Sequence, residues 1–341
     1  MKQTKYIVIT AICAIFLSGC KIGQKYQQPE MEGMPQTFET LELGEGSAAD
    51  IGWSTLYNDT VLQSLINKAL VNNKDVLIGT ASIKGMIANK RITFANMLPQ
   101  IGVDVLADRE YTNYGGDNKK YSPEIHGNLT FGWEVDIWGK LRWANEAGVA
   151  AYMQTVEAQQ ALKLTIVAQV AQSYFELMAL DRKLEIVKQT LAARHEGVRF
   201  AKLRYEGGLT SEIPYKQSLV ELARTETLVP SLENEIKLKE NDIAILVGEF
   251  PSNMRIPRGL DIIKQVVPAS LPVDLPSSLL RRRPDVLAAE QSLIEKNAEA
   301  GVALANMFPT LKLTGSLGFE NSELTDFLKS PAWLISGALT G

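Results

Sequence analysis

Apolar positions along this chain recur every third or fourth residue over its long stretches and every second residue over the shorter ones between them. From about Lys140 to Tyr205 there is no proline, and Leu162, Ile166, Val170, Tyr174, Leu177, Leu180, Leu184, Val187 and Leu191 trace a narrow seam. That is the spacing of a helix packed along a coiled partner. At ~1.5 Å per residue it would run roughly 100 Å, far beyond an ordinary globular helix. The pattern reverses at Glu206-Gly207-Gly208-Leu209-Thr210-Ser211 and returns through Leu219, Leu222, Val229, Leu232, Ile236, Ile243 and Leu246. Ser211 is a candidate N-cap, Pro214 suits the first turn, and Pro230 is expected to kink the returning helix.

A single helix is predicted over Val61–Ala95, stopped by Pro99. The period then becomes two. Ile101, Val103 and Val105 alternate with Gly102, Asp104 and Leu106. After a predicted loop over Tyr111–Glu124, Leu129, Phe131, Trp133, Val135 and Ile137 alternate with Asn128, Thr130, Gly132, Glu134 and Asp136. One apolar and one polar face is the pattern of a transmembrane barrel around a wet lumen, and equally of a hairpin half-buried on a soluble core. Trp133, Trp138 and Trp143 mark the junction with the long helix, as an interfacial belt or as core. Beyond a proline-rich connector (Pro251–Pro276), Ser277 or Ser278 can cap a helix over Leu279–Met307 that Pro309 ends. Leu311, Leu313 and Leu317 then mark a strand, followed by a loop over Asn321–Pro331 and an apolar run from Trp333 to Leu339.

The chain also repeats itself. Asp75-Val76-Leu77 and Ala95-Asn96-Met97-Leu98-Pro99 return as Asp285-Val286-Leu287 and Ala305-Asn306-Met307-Phe308-Pro309, at one offset of about 210 residues. If the first unit runs to roughly residue 250, the second should reach roughly 460. The sequence stops at Gly341, so the second copy is expected to be truncated.

At the start, two lysines precede an apolar core from Tyr6 to Leu17, a signal-peptide length too short to span a bilayer. Leu17-Ser18-Gly19-Cys20 resembles the lipobox of bacterial lipoproteins, in which the cysteine becomes the acylated first residue. Lys21–Ile51 is polar and lacks hydrophobic periodicity, reading as a tether. Of the two cysteines, Cys13 leaves with the signal, so no internal disulfide remains. A net charge of −4 gives no footprint for nucleic acid. No later segment has the ~18 uninterrupted apolar residues of a membrane helix, so any crossing is made by strands. Gly44–Ala49 resembles a dinucleotide fingerprint but has no strand before it and no βαβ unit after it. Arg281, Arg282 and Arg283, beside Pro284, read as ion-pair formers. His126, placed in a barrel-side loop, and His195, on the surface of the long helix, lack the partners of an enzyme site. No cofactor or metal site is read.

Lipobox, tether, helix–strand–strand–long hairpin order and duplication together resemble the TolC-like outer-membrane factors, in the lipoprotein branch serving resistance–nodulation–division pumps. Leu279–Val286 resembles that branch's second-repeat signature, Trp133–Lys140 the exit from its second barrel strand, and Arg204–Ser211 its periplasmic tip. The resemblance implies an α+β membrane protein in the cell outer membrane, a homotrimer with internal duplication in each protomer. Long coiled helical hairpins form a periplasmic α-barrel, and transmembrane β-strands form a shared 12-stranded barrel. It implies a passive duct for small molecules such as drugs or metal ions, coupled through a periplasmic adaptor to an inner-membrane pump. Acylated Cys20 meets outer-membrane lipid, and Arg204, Gly208, Leu209 and Ser211 meet the adaptor. The implied organisation is signal 1–19, lipid-anchored polar tether 20–52, first repeat 53–276 and truncated second repeat 277–341. The competing readings are a non-conducting fragment or a periplasmic coiled-coil scaffold lipoprotein.

Overall fold

The computed structural model describes residues 21–29, 33, 51–113, 119–251, 255–265 and 280–340. Cys20, Ser277 and Ser278 lie outside the described residues, as do Gly44–Ala49. The helices are α1 (Trp53–Leu56), α2 (Thr60–Asn72), α3 (Lys74–Ala95), α4 (Lys140–Glu206), α5 (Glu212–Leu246) and α6 (Pro284–Ala305). The strands are β1 (Gln100–Asn113), β2 (Lys119–Val135), β3 (Thr310–Asn321) and β4 (Pro331–Thr340). No described helix is long and apolar enough to cross a membrane.

The chain divides into two compact units, and α3, α4 and α6 each give residues to both. The first (residues 1–31, 83–156 and 288–341) holds the sheet. Its four strands pair in the order β1-β2-β3-β4, every neighbour antiparallel. The central β2–β3 pair joins the two sequence repeats. Both repeats use the same parts, since α3 and α6 are each 22 residues long and start at positions 74 and 284.

The second unit (residues 32–82 and 157–287) holds the hairpin. Its core joins Leu62, Leu65, Ile66 and Ala69 of α2, the predicted seam residues Ile166, Val170, Tyr174 and Leu177 of α4, and Ile243 of α5. Cross-helix ion pairs Lys239–Glu176, Lys188–Glu233 and Arg194–Glu221 set the antiparallel register of α4 and α5. Asp59 is buried at the start of α2. Its carboxylate accepts from the backbone N–H groups of Val61 (2.9 Å) and Leu260 (2.9 Å), the Tyr174 hydroxyl (3.0 Å) and Gln265 Nε2 (3.1 Å). Burial pushes this carboxyl up, but the donated hydrogen bonds outweigh it and hold it below the ordinary aspartate range. Burial and the facing Asp59 raise the Tyr174 hydroxyl to about 12.

Several expectations are corrected. The helix predicted over Val61–Ala95 is two helices. Asn73 leaves helical geometry with ψ 133°, and its side-chain oxygen accepts from Asp75 N (2.9 Å) while its amide donates to the Leu246 carbonyl (2.9 Å). A buried asparagine thus ends one helix and caps the next, which the apolar spacing on either side conceals. The loop expected over Tyr111–Glu124 is mostly ladder, paired from Asn113↔Lys119 onward, because ladder bonds are made by the backbone and need no apolar alternation. His126 accordingly lies within β2 and not in a loop. The helix expected over Leu279–Met307 is interrupted: Leu280 is helical, residues 281–282 form a turn, and α6 begins at Pro284, whose ring presets the first helical φ. Pro230 lies inside α5, as the spacing placed it. Ser211 occupies the N-cap position in extended geometry, but its side chain makes no capping bond.

Candidate channel wall and hairpin tip

Strand alternation and register assign each sheet residue to a face. On one face the partners are apolar: Ile101↔Phe131 and Val103↔Leu129 across β1–β2, Leu129↔Leu317 and Trp133↔Leu313 across β2–β3, and Leu317↔Trp333 and Leu311↔Leu339 across β3–β4. Most of these side chains are uncovered in the protomer, with Val103 77% and Ile335 80% exposed, while Trp133, Leu311 and Leu313 are half-buried. Along β3 the apolar row runs from Leu311 to Phe319, about 27 Å of strand, or about 21 Å of depth at the ~40° tilt of membrane barrels. That nearly fills the ~25 Å apolar band of such barrels. The opposite face carries Asp104, Asp108, Glu124, His126, Asn128, Thr130, Lys312, Thr314, Ser316 and Glu320. There Asp104 Oδ2 lies 2.9 Å from His126 Nε2, a pairing invisible to sequence because it needs the β1–β2 register. The outer edges of β1 and β4 have no strand partner among the described residues.

At one end of the sheet the chain turns into helices. The Asp136 carboxylate accepts from Leu141 N (3.1 Å) and Arg142 N (3.0 Å), capping α4. Gly139 adopts φ +82°, and a Cβ there would meet the backbone of Lys21. The three tryptophans separate here. Trp143 is fully buried and donates to the Ile22 carbonyl at 2.6 Å. Trp133 and Trp138 instead cap the duplicated Ala-Asn-Met-Leu/Phe-Pro turns, donating to the carbonyls of Met97 (3.2 Å) and Pro309 (2.8 Å). Trp138 is half-buried, its ring 4.9 Å from that of Phe308. Lys21–Tyr26, expected as free tether, lies against this unit. It is held there by pairings (Lys21–Glu146, Asn297–Gln24, Tyr26–Glu290) that apolar periodicity cannot reveal.

At the far end of the hairpin, Leu209 N donates to the Arg204 carbonyl (2.8 Å) and Gly208 N to the Tyr205 carbonyl (3.0 Å). With Gly208 at φ +72°, this is a Schellman stop that only glycine adopts without strain. It brings Arg204, Gly208, Leu209 and Ser211 together, and leaves Leu209 74% exposed. The rings of Tyr205 and Tyr215 stack across the hairpin at 6.1 Å. Of the second-repeat arginines, Arg283 forms an exposed ion pair with Asp285 at 2.7 Å. His195 is exposed, 3.8 Å from Glu226.

Comparison with known proteins agrees with this geometry. The family model described as outer membrane efflux protein matches residues 65–249. The cation efflux system protein CusC of Escherichia coli O6:H1 is 29% identical over 322 residues, covering 93% of this chain and 69% of that protein. The probable outer membrane lipoprotein SilC of Salmonella typhimurium is 28% identical over 333 residues, covering 94% of this chain and 70% of that one. Among solved structures, CusC (27% identical) superposes with a TM-score of 0.79 over 94% of this chain and 72% of that chain. The outer-membrane channel OprN (23% identical) gives 0.84 over 94% and 73%, a likeness of fold alone.

Proposed function

This chain belongs to the outer membrane efflux protein family, and from that membership we propose that three copies build one passive duct through the outer membrane. It is an outer-membrane channel protein of an efflux system, not an enzyme, and its fold is TolC-like, long helices joined to antiparallel strands. The observation that carries the trimer is the sheet, with its largely uncovered apolar face, polar reverse face and two open edges. Four strands cannot close on themselves, and unpaired edges are not tolerated in lipid. Two copies would give eight strands, whose interior side chains fill. Three copies give twelve, the next multiple, which leaves a wet passage. Around that closure β4 of one copy lies antiparallel to β1 of the next.

The hairpin supports the second half of this reading. Phe200, Leu203, Val220, Leu228 and Leu238 stay exposed on α4 and α5, apolar surface that neighbouring helices of a periplasmic α-barrel would cover. At its tip, Arg204, Gly208, Leu209 and Ser211 meet the adaptor, Leu209 as the apolar contact and Arg204 as the charged one. Acylated Cys20 anchors the chain, and an inner-membrane pump supplies the energy. Residues 20–52 then form the anchored segment, 53–276 the first repeat and 277–341 the part of the second repeat present here.

Protein extracted from the outer membrane of its own cells and spread into planar bilayers should give stable conductance steps, with three chains per particle by native mass spectrometry. Particles of one chain without conductance would replace the duct with the scaffold reading.

A further inference from the structure

We propose that Lys21–Tyr26 is a docked strap that fixes the depth of the lipid anchor, delivering the acyl chains of Cys20 to the phospholipid leaflet level with the strand-to-helix junction. This rests on the reading of Cys20 as acylated. The Lys21 ammonium stands 3.2 Å over the centre of the Trp143 ring and pairs with Glu146. Ile22 N donates to the Trp138 carbonyl at 3.0 Å, and the Trp143 indole donates back to the Ile22 carbonyl. Gly139 has no side chain, which leaves room for the Lys21 backbone.

The strap is therefore bonded to the backbone of Trp138, whose half-buried indole lies at the end of the apolar face. Beside it, on the same duplicated turn that Trp138 caps, Met307 is 79% exposed. Indoles with a satisfied N–H and a partly exposed ring sit at the headgroup level of a bilayer. A free tether of about 30 residues would let the anchor wander over roughly 30 Å. Docking leaves Cys20 a single Cα step, ~3.8 Å, from the immobilised Lys21. The anchor and the apolar band then enter lipid in one fixed relation.

The test uses the full-length native chain carrying Gln24→Cys. Among residues 1–341 no other thiol competes, because Cys13 leaves with the signal and Cys20 is acylated. A nitroxide at this position, in vesicles of phosphatidylethanolamine and phosphatidylglycerol, should show the restricted motion of a folded surface site. Lys21→Ala, and independently Ile22→Pro, which removes the N–H bonded to Trp138, should free it several-fold. A Gly-Ser-Gly-Ser insertion between Cys20 and Lys21 leaves the strap docked but frees the depth. It should lower the fraction of detergent-resistant assembled protein in the outer membrane several-fold. Intact mass separates the two premises. An unacylated Cys20 overturns the anchor reading itself. An acylated chain whose label is already mobile, or whose assembly ignores the insertion, overturns the strap while leaving the anchor standing.

Discussion

Single side chains decide where this chain turns and what it tolerates. Gly301 of α6 faces the Trp143 ring so closely that any Cβ would enter it. Gly301→Val should displace the indole and cost about 1–3 kcal/mol, read as a lower thermal midpoint. Asp59 gives a second test, with a sign. Its folded value is lowered, so its stabilisation is complete above the ordinary value of 3.8 and is lost as pH falls through the lower folded one. Thermal midpoints of the second unit should therefore hold from neutral pH to about 4 and decline below. Asp59→Asn should flatten that decline while lowering the midpoint at neutral pH, because Tyr174, Gln265 and Leu260 N lose a charged acceptor. Neither site was legible in the sequence. Asp59 reads as an ordinary polar residue before a helix, and its partners Tyr174, Leu260 and Gln265 lie 115, 201 and 206 positions away.

Elements were more legible than their joints. The α4 seam and the alternating rows of β1 and β2 follow from period alone, since burial of one stripe or one face imposes it. What period cannot show is a polar side chain doing a backbone's work. Asn73 divides α2 from α3 by satisfying three groups at once, and an asparagine between two apolar stretches looks like any exposed helical position. Asn73→Ala should cost about 1–3 kcal/mol, since it strips a cap and leaves the buried Leu246 carbonyl without its donor. Urea unfolding of the native protein would measure it. The tip was legible because its chemistry is local. Gly208 needs positive φ, and Gly208→Val should strain the reversal and weaken adaptor binding while leaving bilayer conductance intact.

For the whole molecule, the polar sheet face sets what the duct prefers. On the polar face, which the proposed duct turns inward, Asp104, Asp108, Glu124, Glu134 and Glu320 stand with Lys312, so such a wall is net negative and would concentrate cations. Reversal potentials under a salt gradient should show cation preference. The double variant Asp104→Asn, Glu320→Gln should weaken it, with the largest effect at low ionic strength, where screening is least. Sequence gave the alternation but not this charge placement, which depends on which strands are neighbours. The neighbour relation has a further consequence, for the order of events as the chain matures. The β2–β3 pairing joins Val135 to Leu311 and Ile125 to Asn321, with the entire helical hairpin threaded between the two strands. Closing so long an intervening segment from a random coil is slow. If the hairpin zips first, by contacts near its own turn, it returns Leu246 to the level of Tyr174 and removes most of that distance. On that route the hairpin is also a splint, and we expect the β2–β3 pairing to form after it.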